Sequence, residues 1–313
     1  MPRVFYQDIV QATSVIDRVF QSTPQFECSS LGRLLNCRII LKVETINPIR
    51  SFKGRGAEVL TGRSKERELM CASAGNFGQA MAYSCRTHGK YLTVYASIHA
   101  NELKVSRMKE LGAKVIQEGE DFDTAKNIAR EAATKNSVRF IEDALDVETI
   151  IGAGTIGLEL LSTDIYFDTV MVPLGNGALI NGIATVFAER SPGTTMAAVQ
   201  SVNAPAMIES WKSGTVVVHE KIDTICDGIG VRIPIPLALD DMKDIVHKGF
   251  LVTEETVVRA MQLIRLHAGL LIEPSAAVGL AAIIENPELF TNKTVALILT
   301  GSNLTEQQMQ QWF

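Results

Sequence analysis

The chain has 313 residues, 46% of them hydrophobic and 21% charged, and carries a formal net charge of −5. That length supports two cores of ordinary size without disulfide or metal staples. The mildly acidic balance, with no block of like charges, gives no electrostatic footprint for nucleic acid, and no apolar run approaches the roughly 18 residues of a membrane span.

In chain order, β-rich runs at 38–44, 68–73, 92–97, 113–119, 168–174, 196–201 and 294–300 predict strands. Helical patterns fall between them at 54–63, 77–88, 102–111, 122–135, 149–162, 178–189, 204–212, 254–268 and 275–285. This rhythm predicts an α/β protein with two domains, each built on an open, twisted, mostly parallel sheet covered on both faces. Residues 64–140 read as a compact block of four strands and three helices. The opening segment belongs with the later block, because its strand leads into Lys53 and the chain end also supplies site residues. The expected division is therefore a large domain of 1–55 plus 146–313 and a small inserted domain of 56–145.

The opening MPRVFYQDIVQATSVI lacks the charged-then-apolar order of a secretory signal. Five cysteines, at 28, 37, 71, 85 and 226, show neither CxxC nor metal-ligand spacing, and no histidine pair stands at HxxxH spacing. The expectation is a cytoplasmic protein with reduced thiols, no membrane segment and no zinc site.

In open α/β sheets ligands bind where strands end and helices begin. Four such junctions here are rich in glycine and small polar residues: SFKGRGAEVL (51–60), CASAGNFGQAMAY (71–83), VPLGNGALINGIA (172–184) and ILTGSN (298–303). The third suits a phosphate, since glycines admit an anion close to the backbone and the following helix offers free N–H groups. A tight turn needing positive φ explains the same glycines equally well. Gly152, Gly154 and Gly157 also match GxGxxG, the dinucleotide fingerprint. However, EDALDVETI before them is not a buried strand, and no acidic residue follows about 20 positions on to hold a ribose. The expectation there is close helix packing.

Taken together, SFKGRGA, SAGN, VPLGNGALINGIA, GAGTIGLELL, EPSAA and LTGSN resemble, in content and order, the fold-type II pyridoxal phosphate enzymes. The resemblance covers roughly residues 15 to 305. It is nearest to the threonine/serine dehydratase (ammonia-lyase) branch, with serine racemase and cysteine synthase as cousins. It implies pyridoxal 5'-phosphate as cofactor, a small amino acid as substrate and a homodimer.

Residue by residue, the resemblance implies that Lys53 bonds the cofactor aldehyde and later serves as the base at Cα. Phe52 packs by the ring. Gly175, Asn176, Gly177, Ala178 and Leu179 cradle the phosphate, Asn76 meets the ring oxygen, and Thr300 faces the pyridine nitrogen. The substrate lies against Ser73, Ala74, Gly75, Asn76 and Phe77, with its carboxylate on the Ser73 hydroxyl and the Gly75 N–H. Catalytic roles thus fall to Lys53 and Ser73.

Departures from the family pattern sharpen this. Ala74 stands where serine racemase has a second acid/base serine, which disfavours racemisation. Gln200 and Ala206 stand where many members have carboxylate ligands for a divalent cation, so no metal is expected. Phe77 replaces a usual histidine. Arg50 replaces a usual glycine and is placed either to meet a second substrate carboxylate or simply to face solvent. Glu273 is expected to cap its helix, with a pocket role as the alternative. The chain end at TEQQMQQWF predicts no C-terminal regulatory domain. The leading expectation is β-elimination from threonine or serine to a 2-oxo acid and ammonia. The alternatives are β-replacement, as in cysteine synthase or a diamino-acid synthase, and a non-catalytic amino-acid-binding relative.

Overall fold

A computed structural model describes residues 2–313. Its strands are β1 (Gln25–Glu27), β2 (Arg38–Val43), β3 (Glu68–Ala72), β4 (Tyr91–Ala96), β5 (Lys114–Gln117), β6 (Arg139–Ile141), β7 (Thr169–Pro173), β8 (Thr195–Ser201), β9 (Lys248–Val252) and β10 (Thr294–Leu299). They form a six-stranded sheet, ordered β1-β2-β10-β7-β8-β9, and a four-stranded sheet, ordered β5-β4-β3-β6. Every pairing is parallel except that of β1 with β2. The fold is α/β with mostly parallel sheets, as the alternation of patterns predicts. β2 and β7 are buried along nearly their whole length, the signature of strands covered on both faces.

Three strands went unmarked by the sequence patterns. β1 and β6 have only three residues each, and β9 is an edge strand of which only Val252 is fully buried. None buries enough apolar side chains to write a period into the sequence. The seven-residue helices at Tyr6–Ala12, Ser29–Leu35, Pro236–Met242 and Glu306–Trp312 were missed for the same reason: two turns are too short for a periodic stripe. All five cysteines are free and buried. Among the described residues, no helix is long and apolar enough to cross a membrane.

The GxGxxG match lies inside the helix Val147–Leu160 and serves packing, as expected. A Cβ on Gly152 would stand 2.4 Å from the Arg55 carbonyl oxygen, and one on Gly182 would stand 2.3 Å from the Ile150 carbonyl oxygen. Three helices, Lys53–Arg63, Val147–Leu160 and Ala178–Arg190, therefore touch backbone to backbone.

Beneath them lies a buried ionic cluster with no sequence signature. The Arg55 guanidinium, fully buried, donates to Glu44 at 2.8 and 2.9 Å and to Glu159 at 2.7 and 3.0 Å. It also donates to Thr155 and Thr23. Lys42, on β2, donates to Glu159 at 2.5 Å and to the Thr23 carbonyl at 2.8 Å. Burial works against the charge on Glu159, but Arg55 and then Lys42 overcome it and hold its pKa down to about 2. Burial similarly lowers the Lys42 pKa against the pull of Glu44 and Glu159.

Two outcomes follow from these contacts. Gly152→Ala is expected to lower stability by about 1–3 kcal/mol through overpacking against backbone that has no side chain to swing aside, read as a shift of the denaturant midpoint. Glu159 binds its proton more weakly in the folded chain, so the unfolded chain takes the proton first as pH falls. The stability it contributes is present above the ordinary value of 4.5 and is lost as pH falls toward about 2. Glu159→Gln should lower the midpoint at neutral pH and flatten this acid limb; an unchanged acid slope would count against the assignment.

Candidate active site

The register of β2 against β10 sets the floor of the site. Val43 pairs with Leu299, so both strands end at one level. Beyond them, the Phe52 N–H donates to the Thr300 carbonyl at 3.0 Å and Ser51 bridges Gly301. Asn47 shapes the loop between β2 and Lys53: its Oδ1 accepts from the N–H groups of Ile49 and Ser51 and its Nδ2 donates to the Glu44 carbonyl at 2.9 Å. Such side-chain-to-backbone bonding is how an Asn-Pro pair builds a turn. Lys53 then opens the helix Lys53–Arg63, with its Nζ 4.6 Å from the Phe52 ring centroid.

Three other chain segments converge on this point. After β3, the Ser73 hydroxyl accepts from the N–H groups of Gly75 at 3.2 Å and Gly78 at 2.9 Å, which starts the helix Asn76–Thr87. Its own hydrogen remains free to donate to a ligand in the cavity. After β7, Gly177 has φ of +101° and precedes the helix Ala178–Arg190, which has no side-chain cap. A positive φ there favours glycine, and the uncapped first turn leaves N–H groups for a ligand. After β6 comes the Glu142–Asp143 turn.

These segments enclose one cavity of about 600 Å³ between the carboxyl ends of the two sheets. Phe52, Lys53, Ser73, Ala74, Gly75, Asn76, Phe77, Gly175, Asn176, Gly177, Ala178, Leu179 and Thr300 all line it. Every residue assigned from the sequence to cofactor, substrate or catalysis is thus brought to one place. Arg50 is not: it is exposed, outside the lining, with its carbonyl accepting from the Ser302 N–H at 3.0 Å. Of the two placements open for Arg50, it takes the solvent-facing one and not contact with a second substrate carboxylate. The Gln200 side chain accepts from the Ile208 N–H at 2.9 Å and Ala206 is buried. Among the described residues, no group of three His, Cys, Asp or Glu side chains is arranged to hold a metal.

Two carboxylates stand in the cavity: Glu273, for which a pocket role was the alternative to capping, and Asp143, to which the sequence assigned no role. Glu273 does not cap its helix. Instead its carboxylate accepts from Asn76 Nδ2 at 2.7 Å and from the Asn303 N–H at 3.0 Å. Asn303 in turn donates to Asn76 Oδ1 at 2.7 Å and accepts from Arg107 at 2.6 Å. One amide hydrogen of Asn76 is left for the cavity. Burial, followed by the nearby Asp227, pushes the Glu273 pKa up to about 7 against the pull of Lys104. A Cβ on Gly301 would strike Glu273 Oε1 at 2.4 Å, which explains the glycine in LTGSN. The second carboxylate is Asp143, whose Oδ2 accepts from Lys53 Nζ at 2.5 Å. Across the cavity mouth Lys104 pairs with Asp227, and Arg232 pairs with Asp123 at 2.7 Å.

A lysine amine, a glycine-opened helix N-terminus and a buried hydroxyl facing one cavity define the site of an aldehyde- and phosphate-bearing cofactor. The chain belongs to the pyridoxal-phosphate dependent enzyme family, whose model matches residues 16–301. It is 32% identical to an L-threonine ammonia-lyase of Thermotoga maritima, over 95% of this chain and 75% of that protein. It is 32% identical to a catabolic L-threonine dehydratase of Staphylococcus aureus, over 95% of this chain and 88% of that protein. The structure of the processed form of threonine deaminase isoform 2 from Solanum lycopersicum superposes with a TM-score of 0.91 and 25% identity, over 98% of this chain and 86% of that one.

The residues present fit pyridoxal phosphate: an amine for the aldehyde, an uncapped helix start with a positive-φ glycine for the phosphate, and an amide hydrogen of Asn76 for the ring oxygen. Glu273 yields a direct check. With uniformly 13C-labelled glutamate, one carboxyl resonance should titrate near pH 7 and vanish in Glu273→Gln. A spectrum in which all glutamates titrate in the ordinary range would contradict the burial argument.

Proposed function

We propose that the chain is a pyridoxal phosphate-dependent ammonia-lyase of the threonine/serine dehydratase class, releasing a 2-oxo acid and ammonia. The observation that carries this is the meeting of Lys53, the Ser73–Asn76 turn and the Gly175–Leu179 loop at one cavity. The names of the relatives at 32% identity point to the same chemistry.

When bound, pyridoxal phosphate supplies the electron-withdrawing ring that takes up negative charge at Cα. The protein does the rest. The Ser73 O–H and the N–H groups at the start of the helix Asn76–Thr87 hold the substrate carboxylate, where partial positive charge favours an anion. Lys53 Nζ removes the Cα proton. Ala74 offers no proton donor, so return of a proton to the opposite face is disfavoured and elimination is favoured over racemisation. Thr300, in the cavity lining, would offer its hydroxyl to the ring nitrogen; unlike a carboxylate, a hydroxyl would not enforce protonation there. The Gly175–Leu179 loop would hold the phosphate through the free N–H groups of the helix it opens.

Three further readings complete the proposal. The two sheets support the division into a domain of 1–55 plus 146–313 and one of 56–145. Five free thiols support a reducing, cytoplasmic setting. The homodimer expected from the family resemblance is read directly by light scattering.

Lys53→Ala is expected to abolish the visible absorbance of the lysine-bound cofactor and to lower 2-oxo acid formation from L-threonine and L-serine by about 10³-fold or more. Oxo acid that appears only when a thiol or amine is added would mean β-replacement. No cofactor absorbance in the wild type would sink the reading altogether.

A further inference from the structure

The Glu273 carboxyl ends a one-way chain of hydrogen bonds. Arg107 donates to Asn303 Oδ1 at 2.6 Å, Asn303 Nδ2 to Asn76 Oδ1 at 2.7 Å, and Asn76 Nδ2 to Glu273 Oε1 at 2.7 Å. The direction of this chain is fixed. Asn303 Nδ2 also donates to the Ile49 carbonyl at 2.9 Å, and a reversed amide would set a donor against Arg107 and an acceptor against that carbonyl. Asn76 is fixed in turn, because its oxygen must meet Asn303 Nδ2. The carboxyl is also held from behind: the Glu273 N–H donates to the Gly301 carbonyl at 3.0 Å, and Oε2 accepts from the Asn303 N–H at 3.0 Å.

Glu273 is buried, and the cations near it are spent on other partners. Asp227 and Cys226 face it from the segment at the cavity mouth, and Lys104 and, behind Asn303, Arg107 face it from the helix Glu102–Glu110. Lys104 pairs with Asp227, and Arg107 bonds Asn303. The helix Asn76–Thr87 and the turn at 301–303 meet it with amides and main chain. Burial, followed by Asp227, outweighs Lys104 and the two hydrogen bonds and brings its pKa up to about 7, so it is neutral below that pH and ionised above it. A protonated carboxyl keeps acceptor capacity, so the chain persists in both states.

Asn76 Nδ2 has two hydrogens and therefore serves two acceptors. One is Glu273; the other, in the cavity, is the ring oxygen of bound pyridoxal phosphate. That oxygen belongs to an acidic phenol and carries negative charge at neutral pH. An ionised Glu273 places a second anion on the same amide group, inside a buried network where repulsion is poorly screened. We propose that Glu273 is a positioning residue whose proton is coupled, through Asn76, to the cofactor's ring oxygen: loading the cofactor drives Glu273 toward its neutral form, and ionising Glu273 loosens the cofactor. This rests on the reading of the cavity as a pyridoxal phosphate site and adds to it a residue that acts on the cofactor only through another side chain. At neutral and alkaline pH, loading takes up a proton from solvent, which forms the O–H bond of Glu273.

The test follows the Glu273 carboxyl by NMR in protein whose glutamates carry 13C at the side-chain carboxyl. Spectra are titrated without cofactor, with saturating pyridoxal phosphate, and with saturating 3-deoxypyridoxal phosphate, which lacks the ring oxygen. Pyridoxal phosphate is expected to raise the midpoint by about one pH unit, as a nearby like charge does to a buried carboxyl. By linkage, the same shift is a roughly tenfold weaker hold on the cofactor once Glu273 is ionised. The 3-deoxy analogue should leave the midpoint where it stands in the cofactor-free protein. The resonance identifies itself by a midpoint of about 7 in that protein, so the result does not depend on a variant that folds. A midpoint that ignores pyridoxal phosphate, one moved equally by both ligands, or no glutamate titrating in that range would overturn the inference. Visible absorbance separates the two levels of reading. A cofactor band with an unmoved midpoint defeats only the role of Glu273, whereas no band at all defeats the cofactor site itself.

Discussion

The guanidinium of Arg55 anchors the rest of the molecule. It is wholly buried and its donors are spent on Glu44, Glu159, Thr155 and Thr23. Burial opposes the charge, but Glu44 and Glu159 overcome it and hold the guanidinium above its ordinary pKa. A buried cluster of this kind adds little net stability over an apolar one, yet removing one partner costs about 3–5 kcal/mol because a charge is stranded. Its consequence is geometric. Glu44 follows β2, Glu159 lies on the helix Val147–Leu160, and Arg55 lies two residues after Lys53. The rotation and height of the Lys53 helix are therefore set by three charged groups that each need the others.

Backbone contact supplies the second constraint. Glycines 56, 152, 154 and 182 let three helices meet where any Cβ would collide with main-chain atoms or a packed isoleucine. That contact carries the Lys53 turn and the Gly175–Leu179 loop to the same cavity. The aligned ends of β2 and β10 bring Thr300 to it as well. The second sheet contributes the Ser73 turn after β3 and Asp143 after β6. The chemistry thus sits where the carboxyl ends of two sheets face each other, as ligand sites in open α/β sheets do.

Charge is distributed across that cavity in a graded way. At the mouth, Lys104–Asp227 joins the walls through a half-exposed carboxylate, a pair of the type worth under about 1 kcal/mol. Deeper in, Glu273 shares hydrogen bonds with Asn76 and Asn303, and burial raises its pKa to about 7, so that it is only partly ionised at neutral pH. The inner network suits a fixed orientation for Asn76.

Local sequence determined a good deal by itself. Apolar runs such as RIILKV and TVALIL write covered parallel strands directly, because a strand buried on both faces needs apolar residues at almost every position. Glycine and small polar residues at SFKGRGA, SAGN and GNGAL mark strand-to-helix turns, because those backbone conformations and close approaches admit few alternatives. The placing of Lys53, Ser73, Asn76 and Thr300 at strand-end junctions was legible for that reason, whereas the roles expected of them came from the family resemblance. Asp143 was not, and Glu273 was read first as a helix cap with the pocket only as the alternative, since an acidic residue in a turn or before a helix carries no local sign of what it faces. The same holds for Lys42, Glu44, Arg55 and Glu159, whose local sequence carries no sign of the cluster they form. β1, β6 and β9 escaped because short or edge strands bury too little to impose a period. What only the tertiary structure decided is which charges lose their water and which partner each then requires, because desolvation depends on segments far apart in the chain closing over one another.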